Sequence, residues 1–200
     1  MTDAVPIRNA SSLVLWRHRP EGAQVLMGQR GSTAVFMPSK YVFPGGAVDA
    51  GDHSSGHLSP SCQARLAQHS PPDAPRPEAL AGCVLRELFE ETGLVLSPRA
   101  PLSFVFRAIT PAGSPRRFDA RFFLADAAWV AGDCDDFSAA TNELSHLHWI
   151  GLTEARRLDL PFNTEVILAE VASCLGGLPQ PGVPFFDNSG PVPMFRRLNA

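Results

Sequence analysis

The hydrophobic and polar positions along the chain predict several strands arranged around one long helix. Apolar-rich stretches predict strands at 12–17, 24–30, 94–96, 102–108, 118–125 and 146–150. Segment 77–92 predicts a helix, because apolar residues recur at helical spacing between Pro77, suited to a first turn, and Gly93, suited to a C-cap. Shorter helical patterns follow at 153–158 and 163–175. This order of elements predicts an α/β class fold, with α/β/α layers and a mixed sheet.

Two proline-rich segments interrupt the pattern. Residues 53–77 are rich in Ser, His and Pro, and only 61–69 has the composition of a short helix. We expect this segment to be a surface excursion, since long connections are uncommon unless they are functional or mobile. Residues 179–200 form a second proline-rich segment, a tail that we expect to wrap over the surface. The whole of 1–200 is expected to be a single domain.

Composition narrows the classes of partner and location. The chain carries a net charge of −3, and 44% of its 200 residues are hydrophobic. That mild acidity makes nucleic acid an unlikely partner, and no run approaches the roughly 18 apolar residues of a membrane helix. The first residues lack the apolar core of a secretion signal, so a cytoplasmic location is expected. None of the four cysteines forms a C-x-x-C pair, so we expect free thiols and no zinc ribbon.

The predicted helix carries an unusual acidic face. Glu87, Glu90 and Glu91 fall within a sector of roughly 100° on a helix, because each residue advances about 100°. Three carboxylates on one face repel each other unless a cation neutralises them, and hard divalent cations prefer such oxygen ligands. A cation held there can bridge phosphate oxygens. The alternative is an ordinary solvated acidic face, which is the usual meaning of a charge run.

The surrounding residues resemble the Nudix hydrolase family, whose motif reads G-x5-E-x7-R-E-U-x-E-E-x-G-U, with U a bulky aliphatic residue. Residues 86–94 match the second half at every fixed position, and residues 42–52 match the first half, including the Pro-Gly-Gly that commonly precedes it. There are two departures. Asp52 stands in place of the first glutamate, and 33 residues rather than seven separate it from Arg86. We therefore expect 53–77 to loop out and leave the two halves adjacent in space.

The resemblance implies a metal-dependent hydrolase with Mg²⁺ or Mn²⁺ as cofactor, and it implies roles for the matching residues. Glu90 and Glu91 would be the main metal ligands, Glu87 a further ligand or the base that activates water, and Arg86 the residue that orients a glutamate. Further candidate ligands are the Gly46 carbonyl, Asp52 and Glu143. The alternative for Glu143 is an ordinary loop glutamate.

The resemblance also implies a substrate class, a small molecule containing a nucleoside diphosphate. A branch that includes a peroxisomal coenzyme A diphosphatase has a similarly interrupted motif and resembles this chain over roughly 10–175, notably at 29–30, 36–52 and 116–123. Coenzyme A or acyl-coenzyme A, cleaved to 3′,5′-ADP and a 4′-phosphopantetheine species, is therefore the preferred substrate. An upstream motif common in such enzymes is only half matched, because Val35 and Ser39 replace its second Arg and its Gly. ADP-ribose, dinucleotides and nucleoside triphosphates remain alternatives.

Several residues are candidates for substrate binding. The preferred set is Arg30, Phe43, Gly45 and Gly46. Other basic residues that could neutralise phosphates, each with an ordinary surface charge as its alternative, are Lys40, Arg107, Arg116, Arg117 and Arg121.

Two further classes of function stay open at this point. One is a non-catalytic Nudix-fold module that senses a nucleotide, and the other is an enzyme acting on capped or 5′-triphosphate RNA. Relatives of this kind are often dimers, so a homodimer is also a candidate assembly, with the apolar N-terminal strand region as its contact.

Overall fold

The computed structural model describes residues 5–53 and 57–199, and it places helices on both faces of a mixed sheet. The described strands are β1 (Ile7–Arg19), β2 (Gly22–Arg30), β3 (Tyr41–Val42), β4 (Gly45–Ala47), β5 (His57–Leu58), β6 (Val95–Leu96), β7 (Pro101–Ile109), β8 (Arg117–Asp126), β9 (Val130–Ala131), β10 (Leu144–Gly151), β11 (Val183–Asp187) and β12 (Met194–Leu198). The described helices are α1 (Pro60–Ala67), α2 (Pro77–Thr92), α3 (Leu152–Ala155) and α4 (Phe162–Leu175).

The main sheet runs in the order β10-β2-β1-β8-β7-β11-β12, with β3, β4 and β5 added at β2, β1 and β7. β1 lies parallel to β8, and β11 lies parallel to β7. The pairs β1–β2, β7–β8 and β11–β12 are antiparallel. The sheet is therefore mixed, as the sequence predicts.

Alternation along β1 sends its side chains to opposite faces of this sheet. Leu13 packs in the cluster that contains the apolar side of α2. Val14 packs in the second cluster, with Ile167 and Leu168 of α4. The predicted α/β/α arrangement is confirmed. Because Leu13 and Val14 are fully buried inside the chain, this apolar part of β1 is not available as the homodimer contact that the sequence suggested.

Most predicted elements are confirmed within a few residues. α2 has the predicted bounds, and Gly93 ends it in a left-handed conformation, with φ of 77°. The strand predicted at 146–150 extends over Leu144–Gly151, and the helix predicted at 163–175 is Phe162–Leu175. The helix predicted at 153–158 is shorter and covers Leu152–Ala155. In the part of the chain that the structure describes, no helix is long and apolar enough to cross a membrane.

The interpretation of 53–77 as a surface excursion is wrong for its central part. β5 pairs parallel with β7, and α1 realises the helix expected at 61–69. Leu58, Cys62 and Leu66 are buried in the same cluster as the apolar face of α2. Residues 54–56 lie outside the described part of the chain. The inserted segment therefore contributes to the core, because Cys62 and Leu66 fall on one side of α1 and Leu58 lies in β5.

Replacing Leu66 with alanine is expected to lower the free energy of unfolding by about 2–3 kcal/mol, since a buried leucine loses transfer energy and leaves a cavity. Urea denaturation measures this change. Leu178→Ala is the matched control, because Leu178 is 62% exposed and its truncation should cost under about 0.5 kcal/mol. Equal, small effects for both variants would mean that α1 does not pack as described.

The expectation that 179–200 wraps over the surface is also wrong. β11 extends the main sheet beside β7, and β12 pairs with β11. Val183, Phe185 and Leu198 from these strands are buried in the core. Pro184 lies within β11, and the other prolines of this segment lie outside the two strands. The strands join the sheet because its β7 edge is open to a further strand.

Candidate active site

α2 presents its glutamates to different environments. Its apolar side, with Ala81 and Leu88, is buried against the sheet. On the opposite side, Glu91 is 2% exposed and Glu87 is 8% exposed. The Glu90 side chain, by contrast, is 49% exposed. One helical face therefore supplies two buried carboxylates, one turn apart, and one that meets solvent.

Arg86 joins the two halves of the motif. Its Nε and Nη2 atoms donate to Oδ1 and Oδ2 of Asp52 at 2.8 and 3.0 Å. Its Nη1 atom donates to Glu87 Oε1 at 2.8 Å and to Glu90 Oε2 at 3.0 Å. Nη2 also donates to the Ala47 carbonyl at 3.0 Å. The prediction that the halves are adjacent in space, despite the 33 intervening residues, is confirmed.

Asp52 is committed to these contacts. Its side chain is 3% exposed, and Oδ2 also accepts the backbone N–H of Asp49 at 2.7 Å. Burial opposes ionisation of Asp52, but the hydrogen bonds from Arg86 and Asp49 outweigh it, so the pKa of this carboxyl is lowered. Both oxygens of Asp52 therefore already have strong donors.

Gly45 and Gly46, which the sequence predicts to contact substrate, lie against the glutamates of α2. The Gly45 backbone N–H donates to Glu91 Oε2 at 2.8 Å. A Cβ atom on Gly46 would stand 2.2 Å from Glu87 Oε1, so any side chain there would displace that carboxylate. The Gly46 carbonyl oxygen lies 3.6 Å from the Cys83 sulfur. Glycine at 46 is thus required by the close approach of α2.

The buried glutamates are held in an environment that resists negative charge. Burial, together with the neighbouring Glu87 and Glu143 carboxylates, raises the pKa of Glu91 to about 8, although the Gly45 N–H partly offsets this. Burial also raises the pKa of Glu87, against the opposing effect of Arg86. Buried carboxylates of this kind are stabilised in their charged form by a cation.

The donor set fits a hard divalent cation, since it consists of the carboxylate oxygens of Glu87, Glu90 and Glu91, which line one cavity. Among the described residues, the ligand atoms of Glu87, Glu90 and Glu91 do not all lie within 4.8 Å of one another, whereas those of Asp133, Cys134 and Asp135 do. The glutamates spread because Glu87 and Glu90 turn toward Arg86 while Glu91 turns toward Gly45.

A cavity of about 320 Å³ opens in front of the glutamates. All four predicted substrate-binding residues line it, and so do the glutamates of α2 together with Glu143 from the loop before β10: Arg30, Phe43, Gly45, Gly46, Glu87, Glu90, Glu91 and Glu143. A second depression of about 760 Å³ borders Asp49, His53 and Arg76 and includes none of these glutamates. The carboxylates and the predicted substrate contacts therefore share one cavity.

The other basic residues that were predicted to neutralise substrate phosphates lie in different parts of the structure. Arg116 lines the cavity. Lys40 instead pairs with Asp159, and Arg117 donates to the carbonyls of Thr110 and Asn188. These contacts give Lys40 and Arg117 structural partners in place of a substrate phosphate.

Arg107 and Arg121 cannot reach a substrate, because the side chain of each is 1% exposed. Arg107 donates to both oxygens of Asp119 at 2.8 and 2.7 Å, and Arg121 contacts Asp119 Oδ2 at 2.9 Å. Burial and the neighbouring Arg107 lower the pKa of Arg121 to about 10. The hypothesis that these two arginines neutralise substrate phosphates is therefore wrong. A strand pattern gives no signal that distinguishes a buried arginine from a surface one.

Arg8, which was not among the residues predicted from the sequence, lines the same cavity from β1. Asn163 and Thr164, at the start of α4, line it as well. Alternation along β1 could have found Arg8, because it lies on the same strand face as Ser12, which pairs with Gly45 of the motif.

The chain is similar in sequence to curated proteins. No family model matches the chain. It is 29% identical over 177 residues to nudix hydrolase 7 of Caenorhabditis elegans, covering 72% of this chain and 51% of the relative. It is 31% identical over 115 residues to acyl-coenzyme A diphosphatase NUDT19 of Gallus gallus, covering 46% of this chain and 27% of the relative. The chain thus spans about half, or less, of the length of these curated relatives.

Among solved structures, the chain is similar to a NUDIX hydrolase from Alicyclobacillus acidocaldarius. The two are 26% identical with a TM-score of 0.63, and the match covers 84% of this chain and 92% of the other. Sequence and fold similarity therefore point to the same family.

Proposed function

We propose that this chain, which is similar in sequence and in fold to Nudix hydrolases, is a pyrophosphohydrolase that cleaves a diphosphate bond in a nucleotide-derived small molecule. The observation that carries the proposal is that Glu87, Glu90 and Glu91 line one cavity, while Arg86 donates hydrogen bonds to Glu87 and Glu90. Carboxylates concentrated at a cavity wall need a compensating positive charge, and a divalent cation that also binds the diphosphate would supply it.

The proposed ligands for Mg²⁺ or Mn²⁺ are Glu87, Glu90 and Glu91, with the Gly46 carbonyl beside them. When bound, such an ion offsets the charge of the phosphate oxygens and lowers the pKa of water. Arg86 holds Glu87 and Glu90 in place through Nη1. For Asp52 we favour a positioning role over metal ligation, because Arg86 and the Asp49 N–H already occupy its oxygens.

The base that takes a proton from the attacking water is one of the cavity carboxylates. Glu87, Glu91 and Glu143 all line the cavity. A raised pKa suits a base that works near neutral pH, and Glu87 and Glu91 both have one. Glu143 is exposed, and its negative charge contributes to the raised pKa of Glu91.

Coenzyme A or acyl-coenzyme A is the preferred substrate. The products would be 3′,5′-ADP and 4′-phosphopantetheine or its acyl derivative. Two observations support this preference. One is the likeness to a relative named as an acyl-coenzyme A diphosphatase. The other is that Arg30 and Phe43 line the cavity beside the glutamates. ADP-ribose, dinucleotides and nucleoside triphosphates are the competing substrates.

A mass-resolved hydrolysis screen tests this function. Coenzyme A, acetyl-coenzyme A, ADP-ribose, NADH, a diadenosine polyphosphate and nucleoside triphosphates are each incubated with Mg²⁺ or Mn²⁺, and again with chelator. We expect release of 3′,5′-ADP from coenzyme A that chelator abolishes. Turnover of another compound alone would retain the mechanism and reject coenzyme A.

A nucleotide-sensing module is the second candidate, and one observation favours it. The three glutamates do not bring their oxygens together within 4.8 Å in the described structure. Thermal stabilisation by a nucleotide, with no product in any reaction of the screen even when metal is present, would support sensing and reject hydrolysis.

Replacing Gly46 with alanine is expected to lower kcat by roughly 10- to 100-fold, because the added Cβ would stand 2.2 Å from Glu87 Oε1 and push that carboxylate out of position. Steady-state kinetics measures the loss. Gly51→Ala is the matched control, since a Cβ on Gly51 would meet nothing within 4 Å. Equal activity of the two variants would contradict the proposed role of Glu87.

A further inference from the structure

Two arginines in the cavity have no role in the proposed cleavage. Arg8 and Arg116 both line the cavity, and both are exposed. Across 5–53 and 57–199, neither guanidinium makes an ion pair or a hydrogen bond. Arg30, the third cavity arginine, differs because its Nε atom donates to the Phe36 carbonyl at 3.0 Å. Among the described residues, the donors of Arg8 and Arg116 are therefore free for a ligand.

Strand register separates these arginines from the glutamates. On β1, Ser12 pairs with Gly45, whose N–H contacts Glu91. Arg8 lies four residues earlier on the same strand, which places its backbone roughly 13 Å from that of Ser12 at the usual rise per residue. Arg8 pairs with Phe118 of β8. The cavity thus has an acidic end at Gly45 and a basic end at Arg8.

Arg116 belongs to the same basic end. It lies two residues before Phe118, where the connection from β7 enters β8. The next residue, Arg117, donates to the carbonyls of Thr110 and Asn188 at 3.0 and 2.9 Å. These bonds fix the backbone beside Arg116, so its side chain starts from a defined position at the cavity rim.

An aromatic pair stands beside these two arginines. The rings of Phe36 and Phe118 meet edge to face with centroids 5.3 Å apart. Both side chains are half-buried and both line the cavity. The face of either ring can stack a nucleobase without regard to the identity of that base. The basic end therefore has the features that suit the nucleoside half of a substrate.

We propose that Arg8 and Arg116 bind a phosphate group of the substrate other than the diphosphate that is cleaved, namely a phosphate monoester on the ribose. The inference rests on the proposed function, because the glutamate end must take the diphosphate for the basic end to meet the nucleoside. Two guanidinium groups give charge-assisted hydrogen bonds to such a phosphate. The substrate class narrows to diphosphates whose nucleotide carries this additional phosphate.

Binding of two nucleotides that contain no diphosphate bond tests the inference without turnover. Adenosine 3′,5′-bisphosphate and adenosine 5′-monophosphate differ only in the ribose phosphate, and isothermal titration calorimetry with Mg²⁺ present measures both affinities. We expect the wild-type protein to bind the bisphosphate about 10- to 100-fold more tightly, the range for hydrogen bonds to a charged group. The double variant R8A/R116A is expected to reduce that ratio to below about threefold.

R99A is the matched control, because Arg99 is exposed and is not among the residues lining the cavity. It should keep the wild-type ratio. Equal affinity of the wild-type protein for both nucleotides, including no measurable binding of either, would overturn the inference, and so would an unchanged ratio in R8A/R116A. Discrimination by the wild-type protein together with no hydrolysis of any diphosphate would instead reject the catalytic proposal and leave the phosphate site standing.

Discussion

Replacing Glu90 with glutamine is expected to lower kcat by about 100- to 1000-fold while changing the free energy of unfolding by under about 0.5 kcal/mol. The loss corresponds to about 3–4 kcal/mol of transition-state stabilisation, the scale for removing one strong electrostatic group from a reaction centre. Stability should hold because the Glu90 side chain is 49% exposed and its contact with Arg86 is a surface i,i+4 pair. Metal-saturated kinetics and urea denaturation measure the two quantities.

Glu78→Gln is the matched control for this variant. Glu78 lies in the first turn of the same helix, is exposed, and does not line the cavity in front of the glutamates. The same isosteric change there should leave kcat within about twofold, since surface substitutions away from a site have small effects. Full activity of Glu90→Gln would remove Glu90 from the proposed metal ligands.

Replacing Asp119 with asparagine is expected to lower the free energy of unfolding by about 3–5 kcal/mol, the range for breaking a buried ion pair by removing one partner. Asp119 is the carboxylate between Arg107 and Arg121, and the side chains of both arginines are 1% exposed. Without it, two buried guanidinium groups lose their counter-charge while water cannot reach them. Urea denaturation at pH 7 measures the loss.

The chain contains a closely matched control for Asp119. Asp135 also faces two arginines, Arg17 at 2.7 Å and Arg19 at 3.3 Å, but its side chain is 49% exposed. Asp135→Asn should therefore cost at most about 1 kcal/mol, because solvent screens an exposed pair. Similar losses in the two variants would show that burial does not set the strength of the Asp119 cluster.

Local sequence patterns were sufficient to predict the helix α2 and the residues that carry the proposed chemistry. Apolar spacing gave the bounds of α2, and Pro77 and Gly93 marked its ends. The same helical geometry put the three glutamates on one side, and the motif match led to Arg86. These features depend on residues within a few positions of one another, so a single sequence contains them.

Other features depended on contacts between distant parts of the chain. The proline-rich composition of 179–200 is typical of a surface tail, and only the pairing of β11 with β7 makes this segment part of the sheet. The inserted helix α1 becomes part of the core only because the sheet and α2 supply apolar surfaces for it. The elements that these two segments pack against cannot be inferred from the segments alone, because tertiary packing overrides a weak local preference for one secondary structure.

The sequence by itself determined which residue types stand in the motif, and the tertiary structure decided what each of them touches. Asp52 was predicted as a metal-ligand candidate, yet its two oxygens are taken by Arg86 and the Asp49 N–H. Arg107 and Arg116 look alike along the chain, although one is buried against Asp119 and the other is exposed at the cavity rim. The physical reason is that burial and pairing set the energy of a charged group, and both arise only when the sheet assembles.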